Sequence, residues 1–178
     1  MTEKTFSRPS WDEYFMAMAR ITATRSNCDR LHAGAVLVKD KRIIATGYNG
    51  APPGLPSCDE VGHLLEDGHC VRTIHSEHNT LLQVARLQGA STEGTTLYTV
   101  SSPCIHCSKY LVAAGVKRVV YGQIYRNPEV IDYLKKANVV IEQYQENPEW
   151  LKRIQEIFKN NITEVHANEG YVKMKGAK

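Results

Sequence analysis

Extended and helical segments alternate along this 178-residue chain, and the alternation predicts an α/β fold. Three observations carry that prediction. Five short β-type runs occur at 33–38, 42–46, 96–101, 116–121 and 139–143. Stretches with helical spacing lie before, between and after them. A helix between the fourth and fifth runs lets those two strands lie parallel, as a right-handed βαβ unit.

The first helix is expected from Ser10 to Arg25. Ser10 suits the N-cap, and Trp11, Tyr14, Phe15, Met18, Ala19 and Thr22 fall on one side. Ala33–Val38 and Arg42–Thr46 read as a hairpin around Lys39-Asp40-Lys41. From Gly47 to Thr73 the periodicity fails, with six glycines or prolines before Ser57. A loop that long in a folded domain is usually functional. Ile74–Gln88 reads as a second helix stopped by Gly89. Thr96–Ser101 is a strand, and Pro103 suits the first turn of a helix running to Ala114, where Gly115 ends it. Val116–Tyr121 is the fourth strand, Pro128–Ala137 a helix and Val139–Gln143 the fifth strand. Pro148–Phe158 is amphipathic through Trp150, Leu151, Ile154 and Ile157, and the last dozen residues look loosely held. The whole chain, 1–178, reads as one domain: a core over about 11–143, then a C-terminal helix and tail over 144–178.

Apolar residues at 42% and charged residues at 23% fit an ordinary globular protein. A net charge of +3 is too small and dispersed for a chain that holds nucleic acid by neutralising phosphates. The polar start carries no secretory h-region, and no apolar run approaches the roughly 20 residues that span a bilayer. Five cysteines, two of them in a C-x-x-C, argue for metal ligation in a reducing, cytoplasmic setting rather than for disulfides.

The chemistry concentrates in His75-Ser76-Glu77 and Pro103-Cys104-Ile105-His106-Cys107. Cys104 and Cys107 are three apart at a helix start, so both sulfurs lie on one face, where thiolate is favoured. With His75 they make a three-ligand Zn²⁺ site whose fourth position stays open for water, the mark of a catalytic site. Glu77 is not needed as a ligand. A carboxylate beside activated water serves as the general base and acid of an amine hydrolysis. H-x-E followed by P-C-x-x-C is the pattern of zinc nucleobase deaminases. A structural zinc or a pair of core cysteines would leave Glu77 without a role.

Thr73-Ile74-His75-Ser76-Glu77-His78-Asn79 together with Ser102-Pro103-Cys104-Ile105-His106-Cys107 resembles the cytidine and deoxycytidylate deaminase family. Gly47-Tyr48-Asn49-Gly50 is similar to the deoxycytidylate (dCMP) deaminase branch in particular. The likeness runs from about Trp11 to Gln143. It implies a three-layer α/β/α fold with a mixed five-stranded sheet, strand five parallel to strand four. It also implies conversion of dCMP and water to dUMP and ammonia, feeding thymidylate synthesis. By the same resemblance His75, Cys104 and Cys107 hold zinc, Glu77 moves protons, and Asn49 contacts the nucleotide sugar. Ser76 stands where the family usually has alanine, whose backbone meets the base. A monophosphate needs charge-assisted donors. Arg25-Ser26 and Tyr125-Arg126 fall near the right edge, and Arg25, Ser26 and Tyr125 are the expected contacts.

Cys28, Cys58 and Cys70 remain, each in or beside the irregular stretch, with His63 and His69 nearby. Cys28, Cys58, His63 and Cys70 would close a second, structural zinc, with His69 as the substitute for His63. Three unrelated free cysteines are the plain alternative. The resemblance further implies a homo-oligomer, a hexamer favoured, activated by dCTP and inhibited by dTTP with Mg²⁺. Such an effector would sit at the Gly47–Gly50 loop and Pro52-Pro53-Gly54. Rival readings are a deaminase of cytidine, free cytosine or tRNA adenosine, a non-catalytic zinc-stabilised binding module, and a C-x-x-C redox protein.

Overall fold

The computed structural model describes residues 8–87, 89–126 and 128–159. The polar start before residue 8, the expected helix end at Gln88 and the loosely held last dozen residues lie outside that description. The first helix, α1 (Trp11–Ala23), opens on a closed capping box. The Glu13 N–H donates to the Ser10 hydroxyl (3.2 Å), and the Ser10 N–H donates back to the Glu13 carboxylate (2.6 Å). Its buried face is Phe15, Met16, Ala19 and Ala23, so it is turned from the expected one. Trp11 and Tyr14 stay on the outside, where Trp11 stacks on Phe15 at 5.5 Å and the Lys41 ammonium lies over its ring.

β1 (Gly34–Lys39) and β2 (Arg42–Tyr48) pair antiparallel through a two-residue turn. Asp40 and Lys41 sit at φ 49° and 61°, the backbone that matches the twist of a tight hairpin. A bulge at Ile44 shifts the register between Leu37 and Val38. β2 runs two residues past the expected Thr46, which brings Gly47 into the sheet. A Cβ there would come within 2.4–2.5 Å of Thr80 and the Ser76 carbonyl, so only glycine lets the next long helix lie this close.

The stretch expected to be irregular holds a one-turn helix, α2 (Cys58–Val61), and a minimal hairpin, β3 (Leu65–Glu66) with β4 (His69–Cys70). Helix α3 (Ser76–Arg86) starts two residues later than the spacing predicts. Ile74 is held extended by a bridge to Gly50, with Ile74 N–H to Gly50 O at 2.8 Å and Gly50 N–H to Ile74 O at 3.2 Å. Next come β5 (Thr96–Ser101), α4 (Ile105–Ala113), β6 (Arg118–Gln123), α5 (Glu129–Lys136) and β7 (Val140–Gln143). β6 begins two residues after the expected Val116, and Pro103 stands just before the N-cap of α4 rather than inside its first turn.

The main sheet has the order β2-β1-β5-β6-β7. β1 is antiparallel to β5, while β5–β6 and β6–β7 are parallel, so the sheet is mixed and the last two strands run as expected. Alternation sends Ala35, Leu37, Leu97, Val119 and Tyr121 to one face, against Val84 of α3, Leu111 of α4 and Leu134 of α5. Val36, Val38, Tyr98 and Val120 go to the other, against Phe15, Met16 and Ala19 of α1. That is a three-layer α/β/α arrangement. α1 is also tied to the sheet by charge. Arg118 donates to both Asp12 carboxylate oxygens (2.8 and 2.7 Å) and to Glu142 (2.7 Å), and Tyr98 donates to Asp12 (2.7 Å).

The described residues fall into two compact units, divided between Gln145 and Glu146. In the second, α6 (Pro148–Lys159) is capped by Asn147, whose side-chain oxygen accepts from the Glu149 N–H at 3.1 Å. Among the described residues no helix is long and apolar enough to cross a membrane.

Candidate active site

Two helix starts meet beneath the carboxyl ends of β5 and β6. His75 is the N-cap of α3 and Cys104 the N-cap of α4, each with extended backbone. Cys107 follows one turn into α4, and its N–H donates to the Cys104 sulfur at 3.5 Å. The Nδ1 of His75 lies 3.5 Å from the Cys104 sulfur and 3.6 Å from that of Cys107. A tetrahedral Zn²⁺ with bonds of about 2.0 Å to nitrogen and 2.3 Å to sulfur separates such ligands by about 3.5 Å. The three side chains therefore stand at zinc-binding distances without rearrangement, and one imidazole with two thiols is a set zinc favours.

Electrostatics agree with that use. The contact with Cys107, helped by His75, holds the Cys104 thiol down to about 3, while Cys104 and then burial push Cys107 up. His75 is raised, first by Cys104 and against the effect of burial. Both helix N-termini bring partial positive charge to the point where thiolates gather.

Glu77 lies in the first turn of α3 and is only 5% exposed. Burial raises its pKa, against the opposing charge of His75. The Ser76 hydroxyl donates to its Oε2 at 3.0 Å. A carboxylate raised in that way is a stronger proton acceptor, suited to take up a proton and return it.

The cavity beside these groups is lined by Asn49, Ser76 and Tyr125 among the residues expected from sequence. Asn49 is clamped to the backbone: its side-chain oxygen accepts from the Ala33 N–H (2.8 Å) and its amide donates to Leu31 O (2.7 Å). Arg25 and Ser26 lie outside the lining. Arg25 is exposed, and the Ser26 hydroxyl donates to Leu31 O (3.4 Å) while accepting from the Cys28 N–H (3.3 Å). The lining also includes Arg30, Arg126, Thr99, Ser101 and Ser102, which sequence reasoning did not select. Arg126 adjoins a chosen residue, and Ser101-Ser102 closes a strand just before the cysteine motif. Nothing in the sequence marks Arg30.

A second cluster sits under the hairpin β3–β4. Cys28, Cys58 and His63 place their ligand atoms within 4.8 Å of one another, and the Cys70 sulfur is 3.6 Å from that of Cys58. The Cys28 sulfur lies 4.0 Å from His63 Nδ1, and His63 Nε2 meets Asp29 at 3.0 Å. Burial and the neighbouring thiols push Cys58 up to about 12. Burial works against ionising Cys70, but hydrogen bonds from the Arg72 N–H and from His63 bring it to about 7. His69 is turned elsewhere: its ring faces the Arg126 guanidinium at 3.0 Å.

Residues 9–123 match the family described as "Cytidine and deoxycytidylate deaminase zinc-binding region". The chain is 43% identical over 139 residues to ComE operon protein 2 of Bacillus subtilis (strain 168), covering 78% of this chain and 73% of that one. It is 42% identical to the deoxycytidylate deaminase of Mycobacterium phage D29, over 65% of this chain and 96% of the relative. Against the deoxycytidylate deaminase of Saccharomyces cerevisiae, 40% identical, it spans 46% of the relative's length and 77% of its own. Among solved structures, the cyanophage S-TIM5 dCMP deaminase in complex with dCMP and dUMP aligns at a TM-score of 0.69 and 36% identity. That alignment covers 78% of this chain and 100% of the phage chain. On the fold, the ligand geometry and these likenesses together, the chain belongs to the cytidine and deoxycytidylate deaminase family.

Proposed function

We propose that this chain hydrolyses dCMP to dUMP and ammonia, with His75, Cys104 and Cys107 holding zinc and Glu77 moving the protons. The observation that carries the reading is a buried carboxylate next to a three-ligand zinc set, beside a cavity that Asn49, Ser76 and Tyr125 line. The phage relative solved with dCMP and dUMP supports the choice of nucleotide.

Zinc, when bound, lowers the pKa of a bound water from 15.7 to about 7 and so supplies a nucleophile at neutral pH. The remaining work falls to the chain. Glu77 takes a proton from the attacking water and delivers it to the ring nitrogen of cytosine. It then carries the second proton to the departing amine, which leaves as ammonia. Water supplies the carbonyl oxygen of dUMP, so the reaction balances with no other reactant. The Ser76 hydroxyl, bonded to Oε2, holds the carboxylate's orientation through these transfers. Clamping Asn49 to Leu31 and Ala33 fixes the cavity wall against which the sugar rests.

The same reading assigns Cys28, Cys58, His63 and Cys70 to a second, structural zinc. Cys28, Cys58 and His63 place their ligand atoms within 4.8 Å of one another and the Cys70 sulfur adjoins that of Cys58 at 3.6 Å, which supports that assignment. Five free cysteines gathered in two metal-type clusters favour a reducing, cytoplasmic compartment. The family resemblance supports a homo-oligomer, six copies favoured, responding to dCTP and to dTTP with Mg²⁺. Pro53 and Gly54 lie at the surface, open to such an effector. Purified protein should turn over dCMP well ahead of deoxycytidine and a tRNA hairpin, measured side by side. Absence of dCMP turnover would refute the reading, and preference for either other substrate would install its rival.

A further inference from the structure

We propose that Asp29 selects His63 as the fourth ligand of the second cluster, by holding its imidazole with Nδ1 toward the cysteine sulfurs. Asp29 is then a positioning residue, not a ligand, and this role rests on the reading of that cluster as a zinc site.

Two histidines, His63 and His69, compete for one position in the sequence, and their ring nitrogens separate them. The Nδ1 of His63 lies 4.0 Å from the Cys28 sulfur, while its Nε2 lies 3.0 Å from Asp29 Oδ1. An ionised carboxylate can only accept a hydrogen bond. Nε2 therefore carries the proton, and Nδ1 presents the lone pair that a metal needs. The two nitrogens of His69 instead lie 3.0 and 3.2 Å from Arg126 Nη1, a cation that would repel a metal ion.

The place of Asp29 in the chain explains how it reaches His63. It follows Cys28, so one stretch of backbone delivers both a ligand and the group that orients another. That stretch is pinned on each side. The Cys28 N–H donates to the Ser26 hydroxyl at 3.3 Å, and Arg30 Nη2 donates to Gly68 O at 3.2 Å, two residues before Cys70. Residues 28–30 thus touch the sulfurs, His63 and the β3–β4 turn in succession. The carboxylate of Asp29 stands across the ring from the compact set of Cys28, Cys58 and His63.

The side chain of Asp29 is 77% exposed and that of His63 23%. An ion pair so open to water adds little to folding stability. Orientation is a separate effect. A ligating imidazole whose other N–H meets a carboxylate is fixed in tautomer and angle, and it is a more basic ligand.

The test uses the full-length chain loaded with two zinc ions, titrated against a chromophoric chelator. Cys58→Ser, which keeps the catalytic zinc alone, identifies the constant that belongs to each site. Asp29→Ala should weaken the second zinc about 10-fold, the lower end of the range for losing such a partner, and leave the catalytic zinc unchanged. Asp29→Asn, which keeps an acceptor oxygen, should recover part of the loss, and His69→Ala should bind as wild type does. In a His63→Ala background, Asp29→Ala should cause no further loss, since no ring remains to be oriented. A merely structural role for the loop would add its own loss there, and that result overturns the proposal. Wild-type zinc affinity in Asp29→Ala overturns it too, while the second site stands. A wild-type chain that holds only one zinc removes the second-site reading itself, and the role of Asp29 with it.

Discussion

Asn49 shows how one side chain can be drawn into the site wall by the backbone around it. The resemblance expects it at the sugar, and it does line the cavity. Its amide is nonetheless already bonded to Ala33 and Leu31, and the residue is 6% exposed. Asn49→Ala would strand the Ala33 N–H and leave Leu31 O only its long bond from the Ser26 hydroxyl, at a cost of about 2 kcal/mol. Chemical denaturation should show the midpoint fall with an unchanged slope, and an unmoved midpoint would contradict this account of Asn49. His75, Glu77, Cys104 and Cys107 were legible in sequence because metal and proton chemistry demand particular residue types at short spacings. Arg30 and Arg126 were not. An arginine on a loop is most often solvated, and only the fold reveals that two of them share the Gly68 carbonyl.

At the scale of elements, the order of strands and helices was legible from period and punctuation, and the boundaries were less so. Ile74 has helical spacing, but its bridge to Gly50 delays α3 until Ser76, leaving His75 as an N-cap. The face of α1 was misjudged because aromatic residues can pack on one another outside the core, as Trp11 does on Phe15. The cysteine- and histidine-bearing segment was unreadable as structure, since elements of two to four residues leave no period. The attachment of α1 to the sheet has a dependence on pH. Hydrogen bonding to Arg118 lowers the Asp12 pKa from its ordinary 3.8. The folded value lies below the unfolded one, so the stabilisation is fully present above about pH 4. It is lost as pH falls through 3.8 toward the folded value. With Asp12 38% exposed, solvent screening reduces the contribution to about 1 kcal/mol. Asp12→Asn should therefore be less stable than wild type at pH 7, and the gap should narrow as pH falls below 3.8. A gap that persists there would count against the ion pair.

The whole molecule joins two metal-type clusters through one cavity wall. Cys28 and Cys70 belong to the second cluster and also line the cavity near Arg30 and His69. On the proposed reading the closed set steadies the short hairpin, and the open set faces the reacting base. Zinc measured on the purified chain should be near two atoms per chain, falling to about one in Cys58→Ser with a lower melting temperature. A wild-type value near one would remove the structural site. The central claim is narrower: a buried carboxylate beside a three-ligand zinc deaminates dCMP. Its most direct test is the dCMP turnover of Glu77→Gln, with zinc measured in the same preparation. The account predicts wild-type zinc content and a rate about 1,000-fold lower, within the range for loss of a proton-transfer group. A zinc-loaded variant that produces dUMP at the wild-type rate would contradict it.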